Sequence, residues 1–91
     1  MVRSLADRTF QLRLELSLEH KQAVNGLEFS ADELSLATAS ADQLARLWST
    51  DSGHAIVMLK DNFTLYDVAM GSDGTIAVSG DCRCVRLWSP P

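Results

Sequence analysis

The sequence of 91 residues predicts an all-β fold of short antiparallel strands. Apolar and polar residues alternate from Phe10 to Leu18, and seven shorter strand-like runs follow at even spacing. Turn-forming stretches such as Ser-Ala-Asp-Glu at 30–33 separate the runs. No segment carries a sustained helical stripe, so the pattern is typical of an antiparallel meander. The predicted strands span residues 10–18, 24–30, 34–40, 44–49, 55–59, 65–70, 75–79 and 85–89.

The N-terminal segment interleaves charged residues with apolar ones through its whole length. The strict alternation over 10–18 predicts a strand with one buried face. The same interleaving leaves no apolar stretch of the kind that a secretory signal needs. We therefore expect a cytoplasmic protein, with the nucleus as the alternative compartment.

Composition argues against two classes of partner. The chain has 12 acidic and 8 basic residues, a net charge of −4, and its basic residues are scattered singly. It therefore offers no basic patch for a phosphate backbone. The longest apolar run, residues 55–59, is far shorter than a membrane-spanning helix. We expect neither nucleic acid nor a membrane as a partner.

Arg-Leu-Trp-Ser occurs at 46–49 and again at 86–89, which places the two tryptophans 40 positions apart. When the two halves are superposed, the apolar positions coincide and most polar ones differ. A repeat of this length that contains about four strands is typical of a propeller blade, which must stack on neighbouring blades to bury both faces. In this register Asn25-Gly26, a strong hairpin signal in isolation, falls inside the innermost strand of the first blade. The matched apolar pairs are Val24 with Leu65, Leu27 with Val68, Phe29 with Met70, and Trp48 with Trp88.

The motifs of this repeat resemble the WD-repeat β-propeller family over residues 14–89, about the whole repeat region. The resemblance rests on Ser-Ala-Asp followed by Arg-Leu-Trp at 40–48, on Phe-Ser-Ala-Asp at 29–32, and on Ser-Asp-Gly-Thr at 72–75. It also rests on His20, which lies 28 residues before Trp48. The resemblance implies antiparallel four-stranded blades, two in this chain: an extra N-terminal strand at 9–18, a first blade at 20–59, and a second at 61–89 without its outermost strand.

The resemblance also implies a hydrogen-bond network inside the first blade. In it Asp42 accepts from the imidazole of His20, and His20 bonds a hydroxyl at Ser40 or Thr38 that meets the indole N–H of Trp48. A buried indole and a buried carboxylate both need such partners. Ser, His and Asp together also suggest a hydrolytic triad. We interpret them instead as strand bracing, and expect no catalytic residue and no enzyme.

The second blade departs from the motif. Lys60-Asp61 stands where Gly-His is expected, and Cys82 has the spacing from Trp88 that Asp42 has from Trp48, with Asp81 displaced by one. We therefore expect an incomplete network around Trp88.

Cys82 and Cys84 form the other candidate constellation. Two cysteines at i and i+2 in a strand point to the same side, where they could share a metal or a disulfide-exchange site. A zinc site needs four ligands, and no second cysteine pair exists. We interpret both as small, half-buried free thiols in a reduced compartment, too constrained within one strand for an easy disulfide. No cofactor and no metal is expected.

By resemblance, the expected function is that of a protein-interaction scaffold with protein partners. Propellers close with about four to eight blades, so we expect either a ring of about three or four copies or a piece of a larger propeller. In such a ring the first strand would complete a neighbour's second blade. A purely structural or degenerate repeat is the alternative function, and a Cys82/Cys84 redox or metal site is a third. The family's partner-facing positions map to Lys21, Gln22, Ala41, Asn62, Phe63 and Asp81.

Overall fold

The computed structural model describes residues 12 and 14–90, and this part of the chain contains seven strands and no helix. All strand pairs are antiparallel. The first sheet has the order β1-β2-β3-β4 and the second the order β5-β6-β7. The strands are β1 (Val24–Phe29), β2 (Ser35–Ser40), β3 (Leu44–Ser49), β4 (Ala55–Lys60), β5 (Leu65–Met70), β6 (Ile76–Gly80) and β7 (Val85–Trp88). The all-β, antiparallel blade architecture predicted from the sequence is thus confirmed.

The N-terminal strand predicted over 10–18 is not observed at those of its residues that the structure describes. Residues 12 and 14–18 have no strand structure, and residues 9–11 and 13 lie outside the described part of the chain. A strand needs a ladder of hydrogen bonds to a neighbour. The segment instead runs beside the first sheet, where Leu16 and Leu18 lie next to Gly53. Arg46 Nη1 donates to the carbonyl of Glu19 at 3.2 Å.

Four hairpin turns share one geometry, with a residue of positive φ at the same position in each. These residues are Glu33 (φ 62°), Gln43 (φ 74°), Gly74 (φ 91°) and Arg83 (φ 59°). In three of the turns an aspartate precedes that residue and accepts from the amide two positions after itself. The pairs are Asp32 Oδ1 with Leu34 N at 2.9 Å, Asp42 Oδ1 with Leu44 N at 3.0 Å, and Asp73 Oδ1 with Thr75 N at 2.9 Å. Aspartate is common in such turns because its side chain replaces a backbone acceptor.

The hydrophobic core lies between the two sheets. The first sheet contributes small side chains, so the larger side chains of the second sheet pack closely against it. Because side chains alternate along a strand, the core residues point to the face shared by the two sheets and their neighbours point outward. The buried core consists of Ala37, Ala39, Ala45, Leu65, Val68, Ile76 and Val78.

The innermost strands β1 and β5 meet at a close seam. A Cβ atom at Gly26 would lie 2.9 Å from the Asp67 Cα, so only glycine fits there. Asn25 Nδ2 donates to the carbonyl of Leu65 at 2.8 Å, and Glu28 Oε1 accepts from the amide of Met70 at 3.1 Å. The placement of Asn25-Gly26 inside a strand is confirmed.

Each sheet also has an apolar face turned away from the core. The first outer face carries Leu27, Phe29 and Met58, all exposed. The second outer face carries Ala77, Ser79, Val85 and Leu87, the last two of which are 68% exposed. In the repeat register these four positions match Ala37, Ala39, Ala45 and Leu47, which face the second sheet within the chain. The second outer face is therefore the repeat counterpart of the face on which the first sheet packs against the second.

Candidate functional site

A continuous chain of hydrogen bonds crosses the first blade from its turn to its tryptophan. Trp48 Nε1 donates to Thr38 Oγ1 at 2.9 Å, and the same oxygen lies 2.6 Å from His20 Nε2. His20 Nδ1 lies 2.9 Å from Asp42 Oδ2. The side chains of His20 and Asp42 are 1% and 4% exposed. The structure therefore brings together four of the residues that the sequence singled out.

One arrangement of protons satisfies all four groups. The Trp48 indole donates to Thr38, the hydroxyl of Thr38 donates to Nε2, and the Nδ1–H of a neutral imidazole donates to Asp42. No donor is left without an acceptor, which is what a buried polar cluster requires. The network thus links the segment before β1, strand β2, the β2–β3 turn and strand β3.

Of the two hydroxyls considered for His20, the structure selects Thr38. Ser40 is fully buried, and its Oγ donates to the carbonyl of Ala23 at 2.8 Å and accepts from the amide of Asp42 at 3.0 Å. Both side chains lie on one face because they are two residues apart in β2. Ser40 therefore supports the turn, and the Ser-His-Asp constellation is not assembled as a triad.

Asp42 accepts several hydrogen bonds in the β2–β3 turn. Besides His20, its carboxylate accepts from the backbone amides of Leu44 at 3.0 Å and Lys21 at 3.1 Å. Burial raises the pKa of Asp42, but the hydrogen bonds from His20, Leu44 and Lys21 together outweigh it and hold that pKa below its ordinary value. The fold therefore stabilises the ionised form of the Asp42 side chain.

Asp42→Asn is expected to be less stable than the wild type at pH 7, and to lose that disadvantage in acid. A depressed pKa contributes stability that is present above the unfolded pKa, about 4, and lost as the pH falls through the folded pKa. Urea denaturation at a series of pH values measures the difference in the free energy of unfolding between the two proteins. We expect this difference to shrink below about pH 4; a difference that stays constant would contradict the role of the carboxylate.

Trp48 is packed on two sides as well as hydrogen-bonded. The His20 ring meets it edge-on with centroids 5.9 Å apart. The Arg46 guanidinium carbon lies 5.4 Å from the indole centroid, within the range of a cation–π contact. The indole is 5% exposed. It is therefore a structural anchor rather than a binding surface.

The second blade replaces this network with an ion pair. Val78 stands at the position of Thr38, Gly80 at that of Ser40 and Asp61 at that of His20. Asp61 Oδ2 accepts from Arg86 Nε at 2.6 Å. Trp88 is 40% exposed, and residues 12 and 14–90 provide no hydrogen-bond acceptor for its indole. Sequence reasoning missed the Asp61–Arg86 pair, although Arg86 is the repeat counterpart of Arg46.

Cys82 and Cys84 are joined by a disulfide, so the interpretation of both as free thiols is wrong. An extended strand would hold two such cysteines too far apart. Arg83, between them, has the left-handed φ of 59°, and this turn brings the two Cα atoms to 5.2 Å. That separation lies within the usual range for a disulfide.

The predicted partner-facing positions lie at one end of the two blades. Three backbone hydrogen bonds connect their loops: Ala41 N to Ala23 O, Asp61 N to Gln43 O, and Asp81 N to Thr64 O, each at 2.9 Å. The β4–β5 loop thus bridges the β2–β3 turn and the β6–β7 turn. Of the predicted residues, Lys21, Gln22, Asn62 and Asp81 are exposed, and Ala41 and Phe63 are half-buried. We name these six residues the loop surface.

Nowhere among residues 12 and 14–90 do three or more His, Cys, Asp or Glu side chains cluster as metal ligands would. That same part of the chain has no helix that is long and apolar enough to span a membrane.

Comparison with known proteins identifies both repeats. A family model described as "WD domain, G-beta repeat" matches residues 11–49 and 50–89. The structure is similar to the WD40 β-propeller domain of Doa1, with a TM-score of 0.75, 20% identity, and coverage of 80% of this chain and 25% of that one. It is also similar to U3-55K, with a TM-score of 0.73, 19% identity, and coverage of 78% and 24%. The chain thus spans about a quarter of the length of the structures it matches.

Proposed function

The chain belongs to the WD40 repeat family, and from that premise we propose that it is a non-catalytic scaffold whose loop surface binds a partner protein. WD40 propellers are generally protein-interaction scaffolds and generally non-catalytic. The proposal is supported by the position of the six residues on loops that two packed sheets hold in place. Binding residues are often carried on loops of this kind, because a rigid framework positions them at little entropic cost.

The observation that carries the proposal is the bridging of both turns by the β4–β5 loop. Asp61 N bonds Gln43 O on one side, and Thr64 O accepts from Asp81 N on the other, both at 2.9 Å. Phe63 lies between these two anchors and is half-buried. An aromatic side chain held in this way combines a fixed position with apolar area, which is typical of an interface hot spot.

Phe63→Ala and Lys21→Glu are expected to weaken partner binding by about tenfold or more each while leaving the fold intact. Leu34→Ala is the control, because Leu34 is 63% exposed in the β1–β2 turn, at the opposite end of β2 from the loop surface and off both outer faces. Affinity capture with the folded wild type and all three variants would identify proteins by quantitative mass spectrometry. Circular dichroism would verify folding.

Proteins that are retained by wild type and Leu34→Ala but lost with both loop variants would support the scaffold. If Phe63→Ala weakened folding and every interaction equally, Phe63 would be a core residue rather than an anchor. If no protein depended on the loop surface, the alternative of a purely structural repeat unit would replace the scaffold.

We further propose that the two blades complete a propeller with additional blades. The apolar outer faces and the free edge of β7, which has one strand neighbour within the described chain, support this proposal. Unpaired strand edges and exposed apolar patches promote association. The missing blades would come from a ring of about three or four copies or from further repeats of a longer polypeptide.

A further inference from the structure

The four similar hairpin turns differ in how their side chains hold them. In the β1–β2, β2–β3 and β5–β6 turns an aspartate accepts from the amide two residues later, at 2.9 to 3.0 Å. In the β6–β7 turn Cys82 occupies the aspartate position. Its partner is again the residue two positions later, Cys84, and the link is the disulfide. A covalent bond thus stands where the other turns have a hydrogen bond.

The backbones of the two equivalent turns in the two blades are closely alike. Gln43 N donates to Ser40 O at 3.2 Å, and Arg83 N donates to Gly80 O at 3.3 Å. Gln43 and Arg83 both have positive φ, at 74° and 59°. Positive φ is unfavourable for a residue that is not glycine, so each turn needs additional interactions to hold it.

The β2–β3 turn obtains these interactions from polar side chains. The Ser40 hydroxyl accepts from Asp42 N at 3.0 Å, and the Asp42 carboxylate binds His20 and the amides of Lys21 and Leu44. None of these bonds depends on redox conditions.

The β6–β7 turn has no such substitutes among the described residues. Gly80 replaces Ser40, and a Cβ atom there would lie 2.6 Å from the Thr64 carbonyl oxygen, so a serine would not fit. The Cys82 sulfur makes one weak contact, with the Cys84 carbonyl at 3.6 Å. Among the described side chains, the disulfide is therefore the main interaction that holds the β6–β7 turn.

We infer that Cys82 and Cys84 form a redox clasp: the disulfide holds the β6–β7 turn, and reduction by a dithiol releases it. A thiolate of the dithiol attacks one cysteine sulfur, and the bond between the two cysteines breaks. The second thiol of the reductant then attacks the mixed disulfide. Two electrons and two protons pass to Cys82 and Cys84, and the reductant leaves as a disulfide.

Both cysteines are accessible enough for this exchange, because each is half-buried rather than enclosed. Exposed disulfides are the ones that exchange readily, and disulfides in the cytosol are typically transient and redox-sensing. In the cytoplasmic setting that the sequence predicts, a dithiol reductant would therefore open the pair.

The clasp regulates the loop surface, an extension that rests on the proposed scaffold function. Asp81 directly precedes Cys82, and its amide anchors the β4–β5 loop through Thr64 O at 2.9 Å. Phe63 is adjacent to that anchor. When the turn loosens, Asp81 and Phe63 lose their fixed relative position. The oxidised protein is thus the form that presents the second half of the loop surface.

Hydrogen exchange of the whole chain, with and without a small dithiol, tests the clasp without any partner. Mass spectrometry confirms that both thiols have formed. The amide of Arg83 is expected to exchange about tenfold or more faster after reduction. The equivalent amide of Gln43, in the same molecules, is expected to stay unchanged. If Arg83 exchanged equally in both forms, the clasp would be overturned.

A double variant provides the matched control. Cys82→Asp with Cys84→Leu reproduces the pair found in the β2–β3 turn, Asp42 and Leu44. Its Arg83 amide is expected to be slow with and without the dithiol. Sensitivity to the dithiol in this variant would contradict the clasp, because the effect would then arise elsewhere.

Partner binding forms a separate arm of the experiment. A partner that binds the oxidised wild type more tightly than the reduced form, but binds the double variant equally in both conditions, supports regulation by the clasp. Equal binding to both forms of the wild type, together with faster Arg83 exchange, would overturn the regulatory extension alone. Absence of any partner would count against the scaffold function, and the exchange result for the clasp would stand.

Discussion

Replacing Trp48 with phenylalanine is expected to lower the free energy of unfolding by about 2–4 kcal/mol, whereas Trp88→Phe is expected to cost less than about 1 kcal/mol. Trp48 is 5% exposed and donates to Thr38 at 2.9 Å. Its loss leaves the buried Thr38 oxygen without its donor and creates a cavity. Trp88 is 40% exposed, so it loses little packing when shortened.

Urea denaturation of the two variants at the same protein concentration measures this asymmetry. Because the substitution is identical in both, the comparison isolates the environment of each indole. Thr38→Val provides a further check, since it removes the acceptor and retains the shape. Equal losses for Trp48→Phe and Trp88→Phe would contradict the unequal bracing of the two blades.

Gly26→Val is expected to destabilise the chain by about 2–3 kcal/mol, because it forces the two sheets apart. A Cβ atom at this position would lie 2.9 Å from the Asp67 Cα and 3.2 Å from the Val68 amide nitrogen. Both are backbone atoms, which cannot move out of the way as a flexible side chain can. The Asn25 and Glu28 bonds across the seam would lengthen as a result.

Gly26→Ala provides a milder version of the same test if the valine variant does not fold. Gly71→Ala is the control, because the nearest atom to its added Cβ is an Asp73 side-chain oxygen at 3.0 Å, which can move. We expect the control to cost less than about 1 kcal/mol. Similar losses for Gly26→Ala and Gly71→Ala would contradict the close seam.

The strands and turns of both blades could be predicted from the sequence because each rests on local signals. Alternation of apolar residues marked the strands, and the Ser-Ala-Asp and Ser-Asp-Gly motifs marked turns in which aspartate accepts from a nearby amide. Residues 14–18 form no strand in the described chain, and alternation carries no information about which neighbour a strand pairs with. The predicted pairing of this segment with the second blade of another copy therefore stays a prediction.

The details of the candidate site depended on geometry that the sequence does not contain. Thr38 and Ser40 share a face of β2, so spacing could not decide which one meets His20. The disulfide depended on the left-handed backbone of Arg83. The Asp61–Arg86 ion pair depends on how the β4–β5 loop lies against β7, which the sequence pattern does not specify. The disulfide and the ion pair lie where the second blade departs from the first, so the similarity of the two halves could not predict them.

We propose that the two sheets are propeller blades whose outer faces require further blades. Light scattering behind size-exclusion chromatography measures the mass of the folded chain directly. We expect no stable folded monomer. The chain alone should form either a closed assembly of about three or four copies or incompletely folded, associating material. A stable, well-folded monomer with Leu27, Val85 and Leu87 exposed to water would contradict the claim.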